Sequence, residues 1–532
     1  MSKNSSSSTL NINEYETDES ENILPVSDDS ENESENESEN ESESSVQEPV
    51  QNTYPGLILK NNYVLLKNIG SGNNAHVWMV YDIQKSDFYA MKIQDHECYH
   101  DGCREVAIVS KITEYTLENG DFHSISMLDH FVDEIDDNTK FVCSVYDLYA
   151  GSLRMVLVNG IHKYGLPINV VKNIARQLLQ AVHVLHTKLE IIHTDIKPEN
   201  ILFKGVPDYH QQIMELFLRS GFKEKYQEII KNKPSDDEDD EILDQYYDRI
   251  NELAKESVQE ICILDECLNN DEQLIPDSEE DESFIDDDND SDDYPDDEYI
   301  SEDEYSEFNE CNKKYNDRNQ SVDDIQENLD YQDMHDFDNE YDFDKILNNR
   351  ASTSDKQYVV DDKYITNCST ALIDYGNSYF FQKRTRHETQ DRRYRSPEVL
   401  LDLNYSFGCD IWSISCVIFE LLTGFTLFDP EREPLNQDIH HLYMMEKFLG
   451  PIPLNMKKKS KRRKFLFDKN RNYHIKNLES FESKSLKDRL ITEFLFDEKN
   501  AQEINDFLMC GLLFDPEIRY SAQDLLNHPW LN

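Results

Sequence analysis

The uneven spread of negative charge is the feature that most limits what this chain can fold into. The chain has 532 residues and a formal net charge of −57. Residues 1–50 carry 15 acidic residues against 1 basic residue, and residues 205–360 carry 50 acidic residues against 13 basic ones. Both segments have too few apolar side chains to offset the entropy of ordering, so we expect disorder there. The other 326 residues are nearly neutral and can bury one sizeable core.

The charge pattern divides the chain into four parts. We expect residues 1–53 to form an acidic disordered tail and residues 205–363 to form an acidic, mostly disordered spacer. The spacer separates residues 54–204 from residues 364–532, and we expect these two stretches to fold together. Loop-closure entropy grows only logarithmically with length, so a long surface insertion is tolerated when its two ends lie close together.

The composition excludes several classes of protein. Ten cysteines are scattered without the paired spacing of zinc sites, which is typical of reduced thiols in the cytoplasm or the nucleus. Neither an apolar run of 18 residues nor a signal peptide is found in the sequence, so we expect no membrane span and no secretion. The negative net field repels phosphates, so we expect no direct binding of nucleic acid.

The order of the predicted elements indicates an α+β fold. From Tyr63, the segments YVLLKNIG, AHVWMVYDI and FYAMKIQ are strand-like and separated by turns, which predicts three antiparallel strands. KFVCSVYDLY predicts a further strand, and apolar spacing in CREVAIVSKITEY and INVVKNIARQLLQAVHVLHTK predicts helices. The chain after residue 404 is mainly helical. We therefore expect a small β-rich lobe followed by a larger helical lobe.

Two features of the β-rich part are compatible with phosphate binding. Gly70 and Gly72 lie between the first two predicted strands, where the missing Cβ lets backbone N–H groups approach a phosphate. Taken alone, a hairpin turn explains these glycines as well. Lys92 lies within an apolar strand, where a charge is costly unless it is paired. Glu105 on the following helix is its natural partner, although Lys92 taken alone is equally compatible with a solvated position.

The segment IIHTDIKPENILF carries the strongest chemical signal. Between two apolar runs it places Asp195, which can accept the proton of an attacking hydroxyl, and Lys197, which can stabilise a transferred phosphoryl group. Asn200 can give an oxygen ligand to a hard cation. Asp374, in ALIDYGNSYF, is suited to hold Mg²⁺ against phosphate oxygens. With the glycines, Lys92 and the later SPE, these residues form the protein-kinase signature set.

The chain closely resembles the SR-protein kinases over residues 62–204 and 364–532. The resemblance lies in GLPINVVKNIARQLLQAVHVLHTKLEIIHTDIKPENILF, RRYRSPEVLL, CDIWSISCVIFELLTG and the ending LNHPWLN. HLYMMEKFLGPIP instead resembles the signature helix of LAMMER-type kinases. SR-protein kinases also have a kinase domain divided by a long spacer. The resemblance implies the bilobal protein kinase fold and transfer of the ATP γ-phosphoryl group to serine in Arg/Ser-rich or other basic proteins.

The resemblance also implies a role for each site residue. The catalytic set comprises the base, its neighbouring lysine and the strand–helix ion pair: Asp195, Lys197, Lys92 and Glu105. Mg²⁺ is bound by Asn200 and Asp374. ATP is bound by the glycine-rich loop, the strands and the hinge: Ile69, Gly70, Gly72, Val77, Ala90, Lys92, Tyr146, Asp147 and Tyr149. Two structural contacts are implied as well, an ion pair between Glu398 and Arg519 and a brace from Asp410 to the catalytic loop.

Several positions depart from the usual kinase pattern. Ala75 replaces the third glycine of the glycine-rich loop, and Tyr375 stands where the metal motif usually has Phe or Leu. Thr194 replaces the arginine of HRD, so no obvious partner remains for an activation-loop phosphate. We therefore predict activity without activation-loop phosphorylation. An alanine scan of Thr385 and Thr389 tests this prediction.

Substrate docking also differs from the resembled family. The family's acidic docking positions align with His440 and Lys447, and neither is acidic. Nearby acids remain available to attract arginines, namely Asp429, Glu431, Glu433 and Asp438. Two alternatives stay open. One is a LAMMER-type dual-specificity kinase, and the other is a pseudokinase scaffold that binds basic partners through its acidic arms. The complete catalytic set argues against the scaffold. We expect a monomer that acts on protein substrates.

Overall fold

The computed structural model describes residues 54–271 and 360–532, apart from short gaps. These gaps are residues 73–74, 95, 137–138, 159–161, 235–239, 361, 367, 384–388, 431–435, 469–471 and 474–483. The acidic tail and residues 272–359 of the predicted spacer lie outside the described residues. The chain divides into two compact units. Of the described residues, the first unit comprises residues 54–107, 128–147 and 214–267, and the second comprises residues 108–127, 148–213, 268–271 and 360–532.

The first unit is built on a six-stranded sheet with the strand order β1-β2-β3-β4-β6-β5. The strands are β1 (Ile58–Leu59), β2 (Tyr63–Ser71), β3 (Ala75–Asp82), β4 (Asp87–Gln94), β5 (Met127–Asp136) and β6 (Thr139–Tyr146). The three predicted antiparallel strands are confirmed as β2, β3 and β4. Leu65, Val80, Met91, Ile93 and Val145 belong to a buried apolar cluster. Side chains alternate between the two faces along a strand, so Lys92, between Met91 and Ile93, points away from this buried cluster.

The beginning of the predicted spacer is helical, which differs from the expectation of disorder. Three helices precede the spacer: α1 (Tyr99–Asn119), α2 (Leu153–Val158) and α3 (Ile168–Val184). Within the spacer the structure forms α4 (Asp208–Arg219), α5 (Phe222–Lys231) and α6 (Asp240–Asp271). The rings of Phe217 and Phe222 lie 4.9 and 6.0 Å from the ring of Tyr81. Ile250, Leu253, Ala254, Ser257, Val258 and Ile261 form one buried stripe along α6. The high charge of this segment conceals an amphipathic pattern, because its acids lie mainly on the exposed faces.

The second unit is mainly helical. Beyond α2 and α3 it contains α7 (Asp362–Thr366), α8 (Pro397–Leu400), α9 (Gly408–Thr423), α10 (Gln437–Leu449), α11 (Leu454–Lys459), α12 (Arg463–Leu466), α13 (Leu486–Thr492), α14 (Glu498–Gly511) and α15 (Ala522–Leu526). From Cys409 to its end, every residue of α9 is buried. The β-rich and helical parts follow the predicted order, so the α+β fold class is confirmed. Among the described residues, no helix combines the length and apolar character needed to cross a membrane.

Two small sheets of the second unit hold the segments that carry chemistry. Strands β7 (Tyr149–Ser152), β9 (Ile201–Lys204) and β10 (Thr370–Leu372) form one sheet in the order β10-β9-β7. The other sheet pairs β8 (Ile191–Ile192) with β11 (Tyr379–Phe380). Strands β9 and β10 are antiparallel neighbours, and the Lys204 amide donates to the Ser369 carbonyl at 2.8 Å. The described chain on either side of the spacer is therefore joined by adjacent strands, as loop closure requires.

Candidate active site

The ion pair predicted in the β-rich unit is present. The Lys92 Nζ atom lies 2.8 Å from both carboxylate oxygens of Glu105 on α1. Glu105 is buried and also accepts a hydrogen bond from the Gln94 side chain at 3.1 Å. Gly102 allows this close approach, since a Cβ there would lie only 2.3 Å from the Gln94 amide oxygen and 3.0 Å from Val142. A buried carboxylate paired in this way holds the lysine amine in a fixed position.

The register of the sheet places five of the predicted ATP-binding residues of this unit on one face. Directly opposed residues of antiparallel strands share a face. Val77 pairs with Lys92 and with Gly70, and Ala90 pairs with Tyr146. This face is opposite to the cluster that contains Met91 and Ile93. Ile69 and Gly72 lie in and just after β2, Asp147 directly follows β6, and Tyr149 begins β7 in the second unit.

The glycines of the loop are not required by the turn itself. A Cβ on Gly70 would lie 3.6 Å from Val77, and one on Gly72 would lie 3.7 Å from the Ala75 carbonyl, both ordinary contacts. Neither glycine has a left-handed backbone, and the Gly72 amide closes the turn on Ala75 at 2.9 Å. A hairpin would therefore accept larger residues. The glycines instead fit a surface that a phosphate approaches closely.

The catalytic loop brings three predicted residues together in the helical unit. Lys197 Nζ lies 3.1 Å from Asp195 Oδ2. The Asn200 amide nitrogen donates to the Asp195 carbonyl at 2.8 Å and to its carboxylate at 3.1 Å. This fixes the Asn200 amide group, and its oxygen is the kind of ligand that a hard cation takes. Burial alone would lower the pKa of Lys197, but the carboxylates of Asp195 and Asp391 raise it above the ordinary value. Lys197 is therefore a fixed cation beside Asp195.

Asp410 braces this loop from a fully buried position, as predicted. It accepts hydrogen bonds from the backbone N–H groups of His193 and Thr194, each at 2.9 Å. The His186 ring lies 2.8 Å from the same carboxylate. Thr194 has a φ of 66°, a left-handed conformation that is strained for a β-branched residue. Burial would raise the pKa of Asp410, but the hydrogen bonds from His186 and His193 hold it below the usual range.

Asp374 lies directly beyond β10 and is tied to the catalytic loop through the backbone. The amide of the preceding residue, Ile373, donates to the Asn200 carbonyl at 2.9 Å. The His193 ring nitrogen Nε2 donates to the Ile373 carbonyl at 3.0 Å, while its Nδ1 accepts from the Asp195 amide. Asp374 itself has a φ of 64°. The two predicted metal ligands therefore come from neighbouring strands with a shared hydrogen-bond network.

The implied structural ion pair is also confirmed. The Arg519 guanidinium donates to both carboxylate oxygens of Glu398, at 2.7 and 2.9 Å. Both side chains are fully enclosed. Arg519 also donates to the Gly408 and Leu513 carbonyls, at 2.7 and 2.8 Å. This bidentate pair joins the segment that follows the activation loop to the C-terminal helices.

A second acidic side chain of the catalytic loop, Glu199, was not predicted. Glu199 lies next to Asn200, and one of its carboxylate oxygens is 3.5 Å from the Arg154 guanidinium. Arg154 also approaches Glu420 at 3.4 Å, and Glu420 accepts from the Tyr394 hydroxyl at 2.6 Å. The other oxygen of Glu199 has no hydrogen-bond partner within the described residues. Burial raises the pKa of Glu199, and Arg154 offsets this only in part.

Two of the four acids expected to attract substrate arginines are paired with arginines of the chain itself. Asp438 contacts Arg392 and lies 2.6 Å from Arg462, and Asp429 lies 3.3 Å from Arg393. Internal ion pairs therefore use the carboxylates of Asp429 and Asp438, and attraction of substrate arginines by these two acids stays a prediction. Glu431 and Glu433 lie outside the described residues. His440 is nearly buried on α10, and Lys447 lies in the last turn of that helix.

Comparison with known proteins agrees with this geometry. The model of the protein kinase domain family matches residues 63–214 and 362–531, so the chain belongs to the protein kinase family. A putative serine/threonine-protein kinase of Acanthamoeba polyphaga mimivirus is 55% identical over 481 residues, which cover 90% of this chain and 89% of that protein. Protein kinase dsk1 of Schizosaccharomyces pombe is 28% identical over 493 residues (88% and 80%). SRSF protein kinase 3 of Mus musculus is 25% identical over 514 residues (90% and 87%).

These relatives make the identification more specific. They include SR-protein kinases, and the two matched stretches reproduce the divided kinase domain that is typical of that family. The chain is an SR-protein-kinase-like serine/threonine protein kinase. Its enzyme class was predicted correctly from the signature residues.

Proposed function

We propose that this kinase transfers the γ-phosphoryl group of ATP to serine in Arg/Ser-rich or other basic proteins. The observation that carries the chemistry is the fixed arrangement of Asp195, Lys197 and Asn200. Protein kinases generally use ATP and Mg²⁺, and the residues present fit both. When bound, they supply the transferable group and neutralise the charge that develops on it.

The chain's own residues have separable tasks in this proposal. Lys92, held by Glu105, binds phosphate oxygens, while Asn200 and Asp374 hold Mg²⁺. Asp195 orients the substrate hydroxyl and accepts its proton. Lys197 remains positively charged beside it and stabilises negative charge near the acceptor oxygen. Catalysis rests mainly on positioning, because little covalent chemistry is left to the protein.

Glu199 supports the preference for basic substrates. It belongs to the same loop as Asp195 and Asn200, and its side chain is 40% exposed. One oxygen lacks a partner within the described residues, whereas Asp429 and Asp438 are already paired. That oxygen is itself buried, so the Glu199 side chain has to turn before an arginine of a bound peptide can reach it with a charge-assisted hydrogen bond. The names of relatives such as SRSF protein kinase 3 point to the same substrate class.

Activity without activation-loop phosphorylation is supported by contacts that need no phosphate. The Thr194 hydroxyl donates to the Asn377 carbonyl at 2.6 Å, which anchors the start of the activation segment. At its end, the Gln390 amide nitrogen donates to the Ser413 hydroxyl at 2.8 Å and to the Cys409 carbonyl at 3.0 Å. Its amide oxygen accepts from Ser396. Neutral side chains thus hold both described ends of this segment.

Peptide phosphorylation tests the proposed specificity. Wild-type kinase is assayed with ATP and Mg²⁺ on an Arg/Ser-repeat peptide, a Lys/Ser-repeat peptide of equal charge and an acidic-site peptide. We expect the Arg/Ser peptide to be the best substrate, because a planar guanidinium matches a carboxylate better than an ammonium does. Preference for the acidic peptide would contradict the proposed substrate class but leave the kinase assignment intact.

A further inference from the structure

Tyr375 follows the proposed metal ligand Asp374 and carries a polar group into a fully buried position. Its hydroxyl lies 2.5 Å from the Ser124 hydroxyl, and Ser124 is itself buried. The metal motif of kinases usually has Phe or Leu at this position, so the contact depends on a residue in which this chain departs from the usual pattern. A buried hydroxyl pair of this kind is costly unless both partners are present.

The segment that holds Ser124 also holds β10. The Leu372 amide donates to the His123 carbonyl at 2.9 Å, and the Ile125 amide donates to the Leu372 carbonyl at 3.0 Å. Ser124 and Leu372 form a parallel bridge. Backbone hydrogen bonds thus fix Leu372, two residues before Asp374. The hydroxyl pair fixes Tyr375, one residue after it. Residues 123–125 therefore hold the metal-binding turn from both sides.

The turn needs such support because its backbone is strained. Asp374 has a φ of 64°, a left-handed conformation that non-glycine residues adopt only when their surroundings impose it. The Tyr375 ring also packs on the His193 ring, with 4.9 Å between their centroids. A ring contact alone allows the side chain to slide or rotate, whereas a hydrogen bond fixes the direction in which the ring points.

We propose that the Ser124–Tyr375 hydrogen bond is a positioning contact that fixes Asp374 for metal binding. The inference rests on the proposed metal-binding role of Asp374 and adds two positioning residues to it. Neither residue touches the metal. Both act by limiting the orientations of the turn, so their loss weakens metal binding more than it weakens binding of the peptide substrate.

Four variants test the inference: Tyr375→Phe, Ser124→Ala, the double variant and Tyr63→Phe. The Tyr63 control removes another hydroxyl from a largely buried tyrosine, one that donates to Asp129 at 2.8 Å within the first unit. Two quantities are measured: the Mg²⁺ concentration for half-maximal rate at saturating ATP, and the rise in Tm when Mg²⁺ is added to the ATP-bound protein. The second needs no activity.

Each single variant should raise the half-maximal Mg²⁺ concentration by about three- to tenfold, the equivalent of one buried hydrogen bond. The double variant should raise the half-maximal Mg²⁺ concentration by the same factor as each single variant, because all three variants remove the same hydrogen bond. The Mg²⁺-dependent rise in Tm should shrink in parallel, while the KM for peptide stays constant. Tyr63→Phe should change the stability only.

Unchanged Mg²⁺ dependence in both single variants, or independent effects that multiply in the double variant, would overturn the inference. An equal loss of Tm with and without Mg²⁺ would show a purely structural contact and would also overturn it. Failure of the proposed function looks different. In that case Asp374→Ala keeps the Mg²⁺ response of the wild type, whatever the behaviour of Ser124 and Tyr375.

Discussion

Replacing Asp410 with asparagine should destabilise the protein and slow catalysis together. The carboxylate is fully buried and faces three N–H donors, the His193 and Thr194 amides and the His186 ring. An asparagine can offer an oxygen on only one side. In its best orientation the asparagine oxygen faces the two donors His193 and His186. Its NH₂ group then faces the Thr194 amide, which is itself a donor.

The loss can be estimated from this geometry. One charge-assisted hydrogen bond disappears, at about 1.5–3 kcal/mol, and the remaining two lose their ionic character. The Thr194 amide is left facing another donor although its backbone is strained. We expect the free energy of unfolding to fall by about 2–4 kcal/mol. Asp195 directly follows Thr194, so a shift of the Thr194 backbone also displaces the catalytic carboxylate. If this displacement raises the free energy of the transition state by about 1.4 kcal/mol, kcat falls tenfold.

Urea unfolding and steady-state kinetics measure the two effects. The control is Asp402→Asn, which removes an exposed ion pair with Lys461 and should cost less than about 1 kcal/mol. The folded-state pKa of Asp410 is depressed, so its contribution is present above the unfolded-state pKa near 3.8. That contribution disappears as the pH falls through the lower folded-state value. An Asp410→Asn protein with wild-type stability and kcat at neutral pH would refute this reasoning.

Three further predictions follow from other contacts. Arg519→Met leaves the Glu398 carboxylate buried and unpaired, so the free energy of unfolding should fall by about 3–5 kcal/mol, and adding Glu398→Gln should recover much of it. Glu199→Gln should raise the KM for an Arg/Ser peptide about tenfold with little change in the KM for ATP; an equal rise for an acidic peptide would contradict the arginine contact. Thr385→Ala with Thr389→Ala should keep at least half of the wild-type kcat, and loss of activity restored by a phosphorylating kinase would contradict phosphate-independent activity.

Residues fixed by chemistry were predictable from the sequence. Lys92 is costly in an apolar strand without a partner, and Glu105 on the next helix is its natural partner, so the ion pair could be predicted once Lys92 was considered together with the other signature residues. Asp195, Lys197 and Asn200 lie within six residues, and their mutual contacts are local. The order of a β-rich part followed by a helical part could likewise be predicted from the spacing of apolar residues along the chain.

Contacts that depend on distant parts of the chain were not predictable. Arg154 and Glu420 approach each other although 266 positions separate them, and no local pattern indicates that Glu199 joins them. Asp438 is one of the four acids that the sequence left available for substrate arginines, yet its carboxylate pairs with Arg392 and Arg462. The spacer helices were missed for another reason. Net charge averages over a segment, whereas burial of Phe217 and Phe222 depends on which face each residue takes.

The most direct measurement compares phosphoryl transfer by the full chain with transfer by Asp195→Asn. Both proteins are given labelled ATP, Mg²⁺ and an Arg/Ser-repeat peptide, and nucleotide binding is followed separately by the shift in Tm. We expect the wild type to phosphorylate serine and Asp195→Asn to lose at least 99% of that rate, with nucleotide binding retained. A wild type that binds nucleotide with Mg²⁺ but transfers no phosphate to any peptide would contradict the kinase assignment and favour a scaffold with acidic arms.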